Sequence, residues 1–248
     1  MQHLIAYPLS VIYYLLLGCT LLVFHPIQWV CFNLFGYKAH KKSVDALNFF
    51  WIVNTYVLGT RYKVYNLHTI PEGAPLIIVS NHQSMFDIAT FGWFMRHVHP
   101  KYISKIELGR GIPSISYNLK HGGSVLIERS NPKQSLSAIK KMAQYIETNK
   151  RAAVIFPEGT RSKDGNPGLF AENGLKILCK YAPSAYVVPV TINNSWKLTR
   201  WNYCPLGTGN CIELTIHRPF PVKDLPFPEI FERTKKDIIQ GIHSGIEN

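Results

Sequence analysis

The sequence lacks the signatures of several classes of protein. Its five cysteines are scattered and none lies in a Cys-x-x-Cys pair, so neither a disulfide framework nor a zinc site is indicated. It has no zinc-finger pattern, no RNA-binding aromatic motif and no dense Lys/Arg tract, so we expect no nucleic-acid partner. A Gly-x-Ser-x-Gly elbow is also missing, which argues against a covalent acyl-serine intermediate. We predict no metal and no bound cofactor.

Negative charge is scarce in this chain. It carries 15 Asp+Glu against 27 Lys+Arg, a formal net charge of +12. Such an excess indicates a polyanionic partner. With nucleic acid set aside, the candidates are an anionic membrane surface and a phosphorylated substrate.

No Asp, Glu, Lys or Arg occurs in the first 37 residues. Residues 4–24 form an apolar stretch about as long as the ~20 residues that a helix needs to cross a bilayer. Pro26 then interrupts the helical pattern, and residues 27–35 form a second, shorter apolar piece. The segment does not resemble a cleaved signal peptide, because a basic start and a small-residue cleavage site are missing.

Two membrane geometries fit this segment, and a buried core helix of a soluble protein is the alternative to both. It can be one spanning helix, or a helical hairpin embedded in one leaflet, which we favour. The adjacent basic residues Lys38, Lys41 and Lys42 indicate that the following residues are on the cytoplasmic face, that of the inner membrane in a bacterium. We divide the chain into anchoring helices at 1–43 and one domain at 44–248.

The remainder alternates between strand-like and helix-like runs. Strands are predicted at 76–80, 125–127, 152–156, 186–192 and 212–217. Helices are predicted at 44–58, 84–97, 132–149 (with Asn131 as its cap), 169–181 and 229–243. This alternation predicts an α/β fold with a mostly parallel central sheet covered by helices, and with sites at the carboxyl ends of the strands.

The motif NHQSMFD, residues 81–87, directly follows the apolar run at 76–80. Ser84 and Asp87 fit a capping box at the start of a helix, which leaves His82 in the preceding turn. From there His82 can fold back towards Asp87, whose carboxylate would fix the ring tautomer and support positive charge on it. The other ring nitrogen could then take a proton from a hydroxyl, as in the His–Asp half of a catalytic triad. Alternatively, Asp87 only caps the helix and His82 is an ordinary surface residue.

The motif FPEGTR, residues 156–161, also ends an apolar strand. Gly159 lets the backbone turn closely around a bound group, Thr160 and the backbone amides can donate to it, and Arg161 offers a planar fork suited to phosphate. Glu158 would orient that arginine or another basic residue. Taken alone, the motif is equally compatible with a polar turn that holds a local Glu–Arg pair.

Together the two motifs resemble those of the glycerolipid acyltransferase family, in particular its lysophosphatidate acyltransferase branch. Residues 123–129, GSVLIER, are similar to the family's intermediate block, and residues 187–190, VVPV, to its fourth, apolar–Pro block. Residues 105–108, KIEL, match its Lys-x-Glu-Leu segment. The resemblance covers residues 44–220, with the blocks in the family's order.

The resemblance implies a role for each matched residue. His82 would be the general base on the acceptor hydroxyl, and Asp87 its orienting partner. Residues 187–190 would help to line the acyl-donor side. The acceptor's phosphate and glycerol would be bound by one set of residues: Lys105, Arg129, Glu158, Gly159, Thr160 and Arg161.

The implied reaction moves a fatty acyl group from acyl-CoA or acyl carrier protein to the free hydroxyl of lysophosphatidate, giving phosphatidate. Direct transfer needs donors to the tetrahedral oxyanion, and backbone amides around Gln83 or in the Gly159 turn are the candidates.

The chain departs from the family pattern after the third motif. The family often has a lysine soon after the following phenylalanine, whereas here Phe170 is followed by Ala171, Glu172 and Asn173. Other acceptors therefore stay open, such as another lysophospholipid, a lyso-aminolipid or glycerol-3-phosphate. So do a hydrolase and a non-catalytic protein that binds lipid or acyl-CoA.

Overall fold

The computed structural model describes residues 2–243. Within them the chain forms six α-helices: α1 (Gln2–Asn54), α2 (Phe86–Phe94), α3 (Ile115–His121), α4 (Pro132–Asn149), α5 (Glu172–Tyr181) and α6 (Phe227–Gln240). It also forms eight strands: β1 (Arg61–Tyr65), β2 (Leu76–Ser80), β3 (Pro100–Lys105), β4 (Val125–Ile127), β5 (Ala152–Ile155), β6 (Tyr186–Asn193), β7 (Cys211–Ile216) and β8 (Phe220–Pro221).

The strands form one sheet in the order β1-β7-β6-β2-β5-β3-β4, with β8 paired to β6. β6 pairs antiparallel with β7 and β8, and the other pairings are parallel. A helix connects each pair of consecutive strands from β2 to β6, as parallel crossovers require. The predicted α/β fold with a mostly parallel sheet covered by helices is confirmed.

Two apolar clusters cover the two faces of the sheet. On one face, Ile78 of β2 belongs to a cluster with Tyr13 of α1 and Phe86 of α2. On the other face, Ile77 and Val79 pack with side chains of α4, α5 and α6. Because successive side chains of a strand point to opposite faces, β2 is buried on both sides and forms the centre of the fold.

α1 is a helical hairpin rather than one continuous helix. It breaks at Gly36, whose φ of 73° and ψ of −167° lie outside the helical region. Trp51 Nε1 donates to the Tyr13 hydroxyl at 3.1 Å, and Asn54 Nδ2 donates to Thr20 Oγ1 at 2.9 Å. Residues early in the first arm thus contact residues late in the second, so the two arms are antiparallel.

The predicted interruption at Pro26 is wrong, because the helix continues through this residue. Ser114 holds the helix at this turn: its Oγ donates to the Leu21 carbonyl at 2.6 Å, and its N–H donates to His25 Nδ1 at 3.1 Å. These contacts stabilise the helix where the proline removes a backbone hydrogen bond. The chain reverses at Gly36 instead, because glycine readily adopts a positive φ.

The hairpin leaves much of its apolar surface exposed. Ala6, Tyr13 and Leu17 are buried against the rest of the protein. The other faces of the first arm carry exposed apolar side chains: Leu4, Ile5, Val11, Leu15, Leu22, Val23, Trp29, Leu34 and Phe35. By length and composition, the helical stretch His3–Leu58 could cross a membrane. The division of the chain after residue 43 falls within the second arm and stays a prediction.

Candidate active site

Four neighbouring strands bring the predicted site residues to one edge of the sheet. β2, β5, β3 and β4 lie side by side in this order and are parallel, so their carboxyl ends share an edge. His82 follows β2, the turn at 156–161 follows β5, Lys105 ends β3 and Arg129 follows β4. The topology therefore places a histidine at one end of a row of basic residues.

His82 and Asp87 form a largely buried pair. His82 Nδ1 lies 2.8 Å from Asp87 Oδ2, and the exposed fractions of the two side chains are 14% and 0%. The imidazole stacks on the Phe156 ring with a centroid separation of 4.1 Å and an interplanar angle of 18°. Because Nδ1 faces the carboxylate, Nε2 is the nitrogen that can take a proton from a substrate.

Several hydrogen bonds fix the Asp87 carboxylate. Its Oδ2 accepts from the N–H groups of Gln83 at 2.7 Å and Ser84 at 3.0 Å. Its Oδ1 accepts from the hydroxyls of Ser84, at 3.2 Å, and Ser195. The contact with the Ser84 N–H is that of the predicted capping box. Asp87 therefore holds the start of α2 and contacts His82 at the same time, and these donors offset the cost of burying a carboxylate.

Glu158 has a different role from the predicted one. Its Oε1 accepts from the His82 N–H at 2.8 Å, and its Oε2 accepts from the Gly168 N–H at 2.6 Å. Within residues 2–243 it forms no ion pair with a basic side chain. Burial raises the pKa of Glu158, and the two backbone amides oppose that shift. The carboxylate joins the turn after β2 to the loop after β5 instead of orienting Arg161.

Of the two predicted sources of oxyanion donors, the amides around Gln83 are engaged, whereas the Gly159 turn keeps two amides without an acceptor. The Gln83 N–H binds Asp87, and the N–H of Gly159, which has a positive φ of 65°, donates to the Phe156 carbonyl at 3.1 Å. In the described part of the chain, the backbone amides of Thr160 and Arg161 have no hydrogen-bond acceptor. They are therefore the available donors of this turn.

Arg161 is linked to the N-terminal hairpin. Its Nη1 donates to the Tyr203 hydroxyl, and its guanidinium carbon lies 5.7 Å from the centre of the Tyr203 ring. The Tyr14 hydroxyl of α1 in turn donates to the Tyr203 carbonyl at 2.5 Å. The loop around Tyr203 thus connects the first arm of the hairpin to the turn that follows β5.

Basic groups continue beyond Arg161 along the sheet edge. Burial lowers the pKa of Arg129, Glu107 opposes that shift, and the positive charge of Arg161 adds to it. The two arginines are therefore close enough to influence each other. Lys105 is exposed at the end of the neighbouring strand. Lys105, Arg129 and Arg161 thus give this edge of the sheet three positive charges.

Sequence reasoning missed the roles of several side chains of this site: those of Gln83, Phe156, Ser195 and Tyr203. Phe156 had a signal, since an aromatic residue at a strand end beside His82 can stack on it. Gln83 lies inside the NHQSMFD motif but has no pattern of its own. Ser195 and Tyr203 are more than 100 residues from His82 in sequence, and only the pairing of β2 with β6 brings their segment to the site.

Comparison with known proteins shows the family of this chain. A family profile described as Acyltransferase matches residues 61–193, more than half of the chain. The 1-acyl-sn-glycerol-3-phosphate acyltransferase of Helicobacter pylori is 31% identical over 224 residues, which cover 86% of this chain and 87% of that protein. The chain belongs to the acyltransferase family. The resemblance drawn from its motifs is thereby confirmed, and the protein is an enzyme of this class.

Two further proteins are similar to this acyltransferase over different shares of their length. The chloroplastic 1-acyl-sn-glycerol-3-phosphate acyltransferase of Arabidopsis thaliana is 30% identical over 161 residues, 64% of this chain and 43% of that protein. The match thus spans less than half of the plant protein. The crystal structure of the 1-acyl-sn-glycerophosphate acyltransferase of Thermotoga maritima has a TM-score of 0.81 at 22% identity, covering 98% of this chain and 96% of that one. It shares the fold over nearly the whole length.

Proposed function

We propose that this acyltransferase moves a fatty acyl group from acyl-CoA or acyl carrier protein to the free hydroxyl of lysophosphatidate, producing phosphatidate. The observation that carries the proposal is the buried His82–Asp87 pair at the end of a row of basic residues. The names of the relatives from Helicobacter pylori and Arabidopsis thaliana support lysophosphatidate as the acceptor.

In the proposed mechanism, His82 acts as a general base. Its Nε2 takes the proton of the acceptor hydroxyl, and the oxygen attacks the thioester carbonyl. Asp87 stabilises the imidazolium that forms and keeps Nε2 turned towards the substrate. When the tetrahedral intermediate collapses, the new C–O bond stays, the C–S bond breaks and the thiolate receives the proton from His82. No acyl-enzyme is required.

Arg161 and Arg129 are the proposed ligands of the acceptor phosphate. An arginine guanidinium can form two parallel hydrogen bonds with phosphate, and Lys105 contributes positive charge. The free amides of Thr160 and Arg161 can donate to the same phosphate or to the oxyanion.

We further propose that the enzyme works on the cytoplasmic face of a membrane, with the hairpin inserted in one leaflet. The stripe formed by Ala6, Tyr13 and Leu17 is buried, and the Tyr13 ring centre lies 5.8 Å from that of Phe86 in α2. The first arm therefore lies along the body of the protein, which favours insertion of its exposed side over a helix that crosses the bilayer. The net charge of +12 suits an anionic lipid surface.

The proposal is tested by mass-spectrometric detection of phosphatidate after mixing detergent-purified protein with acyl-CoA and lysophosphatidate. His82→Ala should lower turnover by about 10²–10⁴-fold, the usual contribution of general-base catalysis. His243→Ala is the matched control, because that side chain is exposed at the far end of the described chain. A folded His82→Ala variant with near-normal turnover would exclude His82 as the base.

A second acceptor is favoured by one observation. The three residues after Phe170 are exposed and carry one negative charge and no positive charge. Less anionic acceptors, such as another lysophospholipid or a lyso-aminolipid, should therefore compete with lysophosphatidate in the same assay. Bound lipid without product from any thioester donor would instead indicate a lipid-binding protein.

A further inference from the structure

The two oxygens of the Asp87 carboxylate have different partners. Oδ2 contacts His82 Nδ1 and accepts from two backbone amides, whereas Oδ1 accepts only from the hydroxyls of Ser84 and Ser195. The Ser84 contact is long at 3.2 Å, and the same hydroxyl also accepts from the Phe86 N–H. Ser195 is therefore the closer hydroxyl donor to Oδ1.

Ser195 is brought to Asp87 by the end of β6. It begins the short helical turn Ser195–Leu198, after Asn194 in a left-handed conformation with φ of 67°. Its side chain is fully buried, as is that of Asp87. Since water does not reach either group, the Ser195 hydroxyl has Asp87 as its acceptor and no competing solvent contact.

Other buried polar side chains fix the same junction. The Gln83 carboxamide accepts from the Ser195 N–H at 3.0 Å and donates to the Gly165 carbonyl at 3.3 Å. Asn81 forms two hydrogen bonds of 2.8 Å with the backbone of Ile192 in β6. The turn that carries His82 is thus attached to β6 on one side of the histidine and to the helical turn after β6 on the other. Ser195 itself lies beyond residues 61–193, the part of the chain that matches the family profile.

We propose that Ser195 is a positioning residue for acyl transfer, which holds the Asp87 carboxylate so that its other oxygen faces His82 Nδ1. This inference rests on the proposed function. A donor on Oδ1 restricts rotation of the carboxylate and stabilises its charge in a site without water. The stretch 187–195 therefore serves the proton-transfer pair as well as the core of the sheet.

The first test is Ser195→Ala. We expect kcat to fall by about 10-fold or more, because a hydrogen bond to a charged group is lost, while the KM of both substrates stays within about 2-fold. The acidic limb of the kcat–pH profile should move to higher pH, since a carboxylate with fewer donors attracts the His82 proton more strongly. Ser43→Ala is the matched control, because Ser43 is also buried but donates to the His40 carbonyl.

The second test is a double-mutant cycle with Asp87→Asn. If Ser195 acts through Asp87, adding Ser195→Ala to Asp87→Asn should change kcat by less than about 2-fold. Independent, multiplicative losses would overturn the proposal, and so would an unshifted pH profile. Ser195→Cys keeps a weaker donor and should give an intermediate kcat. It replaces Ser195→Ala in the cycle if thermal unfolding shows that the alanine variant is not folded.

The outcomes separate this inference from the proposed function. If the wild type forms no acylated product, the proposed function itself fails, and near-normal turnover of a folded His82→Ala variant excludes the proposed base. If the wild type is active and depends on His82 but Ser195→Ala has normal kcat, only the role of Ser195 fails.

Discussion

Replacing Glu158 by glutamine tests whether this carboxylate holds the site together or orients an arginine. The wild-type carboxylate accepts from the N–H groups of His82 at 2.8 Å and Gly168 at 2.6 Å. A glutamine offers one carbonyl oxygen, so its NH₂ group must face the other N–H. The variant therefore loses one hydrogen bond to a charged group, and such a bond contributes about 1.5–3 kcal/mol. Since each 1.36 kcal/mol corresponds to about 10-fold in rate, we expect kcat/KM to fall by about 10–100-fold.

The assay is steady-state acyl transfer with both substrates varied, together with thermal unfolding of each variant. We expect the lost hydrogen bond to shift the backbone around His82, so the loss of activity should appear mainly in kcat. Glu232→Gln, the same chemical change at an exposed position of α6, is the control and should be neutral. A loss confined to the KM of the acceptor would support the arginine-orienting role instead. Activity within about 2-fold of the wild type would refute the bridging role altogether.

Two further predictions concern the membrane surface and the core. Binding to anionic vesicles should weaken at high salt without vanishing, because salt screens charges but hardly affects apolar insertion; binding indifferent to salt and lipid charge would contradict this. Burial, with Lys41 nearby, lowers the pKa of Lys101 from 10.5 to about 7. Between about pH 7 and 10.5, Lys101 is mostly protonated in the unfolded chain and mostly neutral in the folded protein. The free energy of unfolding should therefore rise with pH across this range. Between pH 7 and 10 the Tm of the wild type should therefore increase more than that of Lys101→Met, which lacks this group. If the Tm of both proteins changed equally with pH, Lys101 would not be the group responsible.

Much of the fold follows from local patterns. β2, β4 and α4 have the predicted bounds, and Asn131 caps α4 by accepting from the Gln134 N–H. β1, β3, the two-residue strand β8 and the short helix α3 were missed. β1 is a half-exposed strand at the edge of the sheet, and β3 contains the buried Lys101, so neither shows the apolar run of a central strand. Their assignment depends on pairing with β7 and β5, which a local pattern does not contain.

In the candidate site, too, local patterns predict some contacts and not others. The contact between His82 and Asp87 follows from five residues of sequence and a capping box, and the parallel sheet accounts for Arg129 and Arg161 at the same edge. Glu158 shows the limit of this reasoning, because its neighbour in sequence, Arg161, is not its partner in space. The path of two loops determines which backbone amides donate to the Glu158 carboxylate. No spacing of residues specifies that path.

The hairpin shares its apolar cluster with the first residue of α2, next to Asp87. Tyr13 and Leu17 pack in the same cluster as Phe86, the residue immediately before Asp87. Truncating the N-terminus would uncover this aromatic side chain, so the shortened protein would be prone to aggregate. A water-soluble form of the enzyme should instead keep the hairpin and replace outward-facing residues such as Leu15 and Leu22 by polar ones.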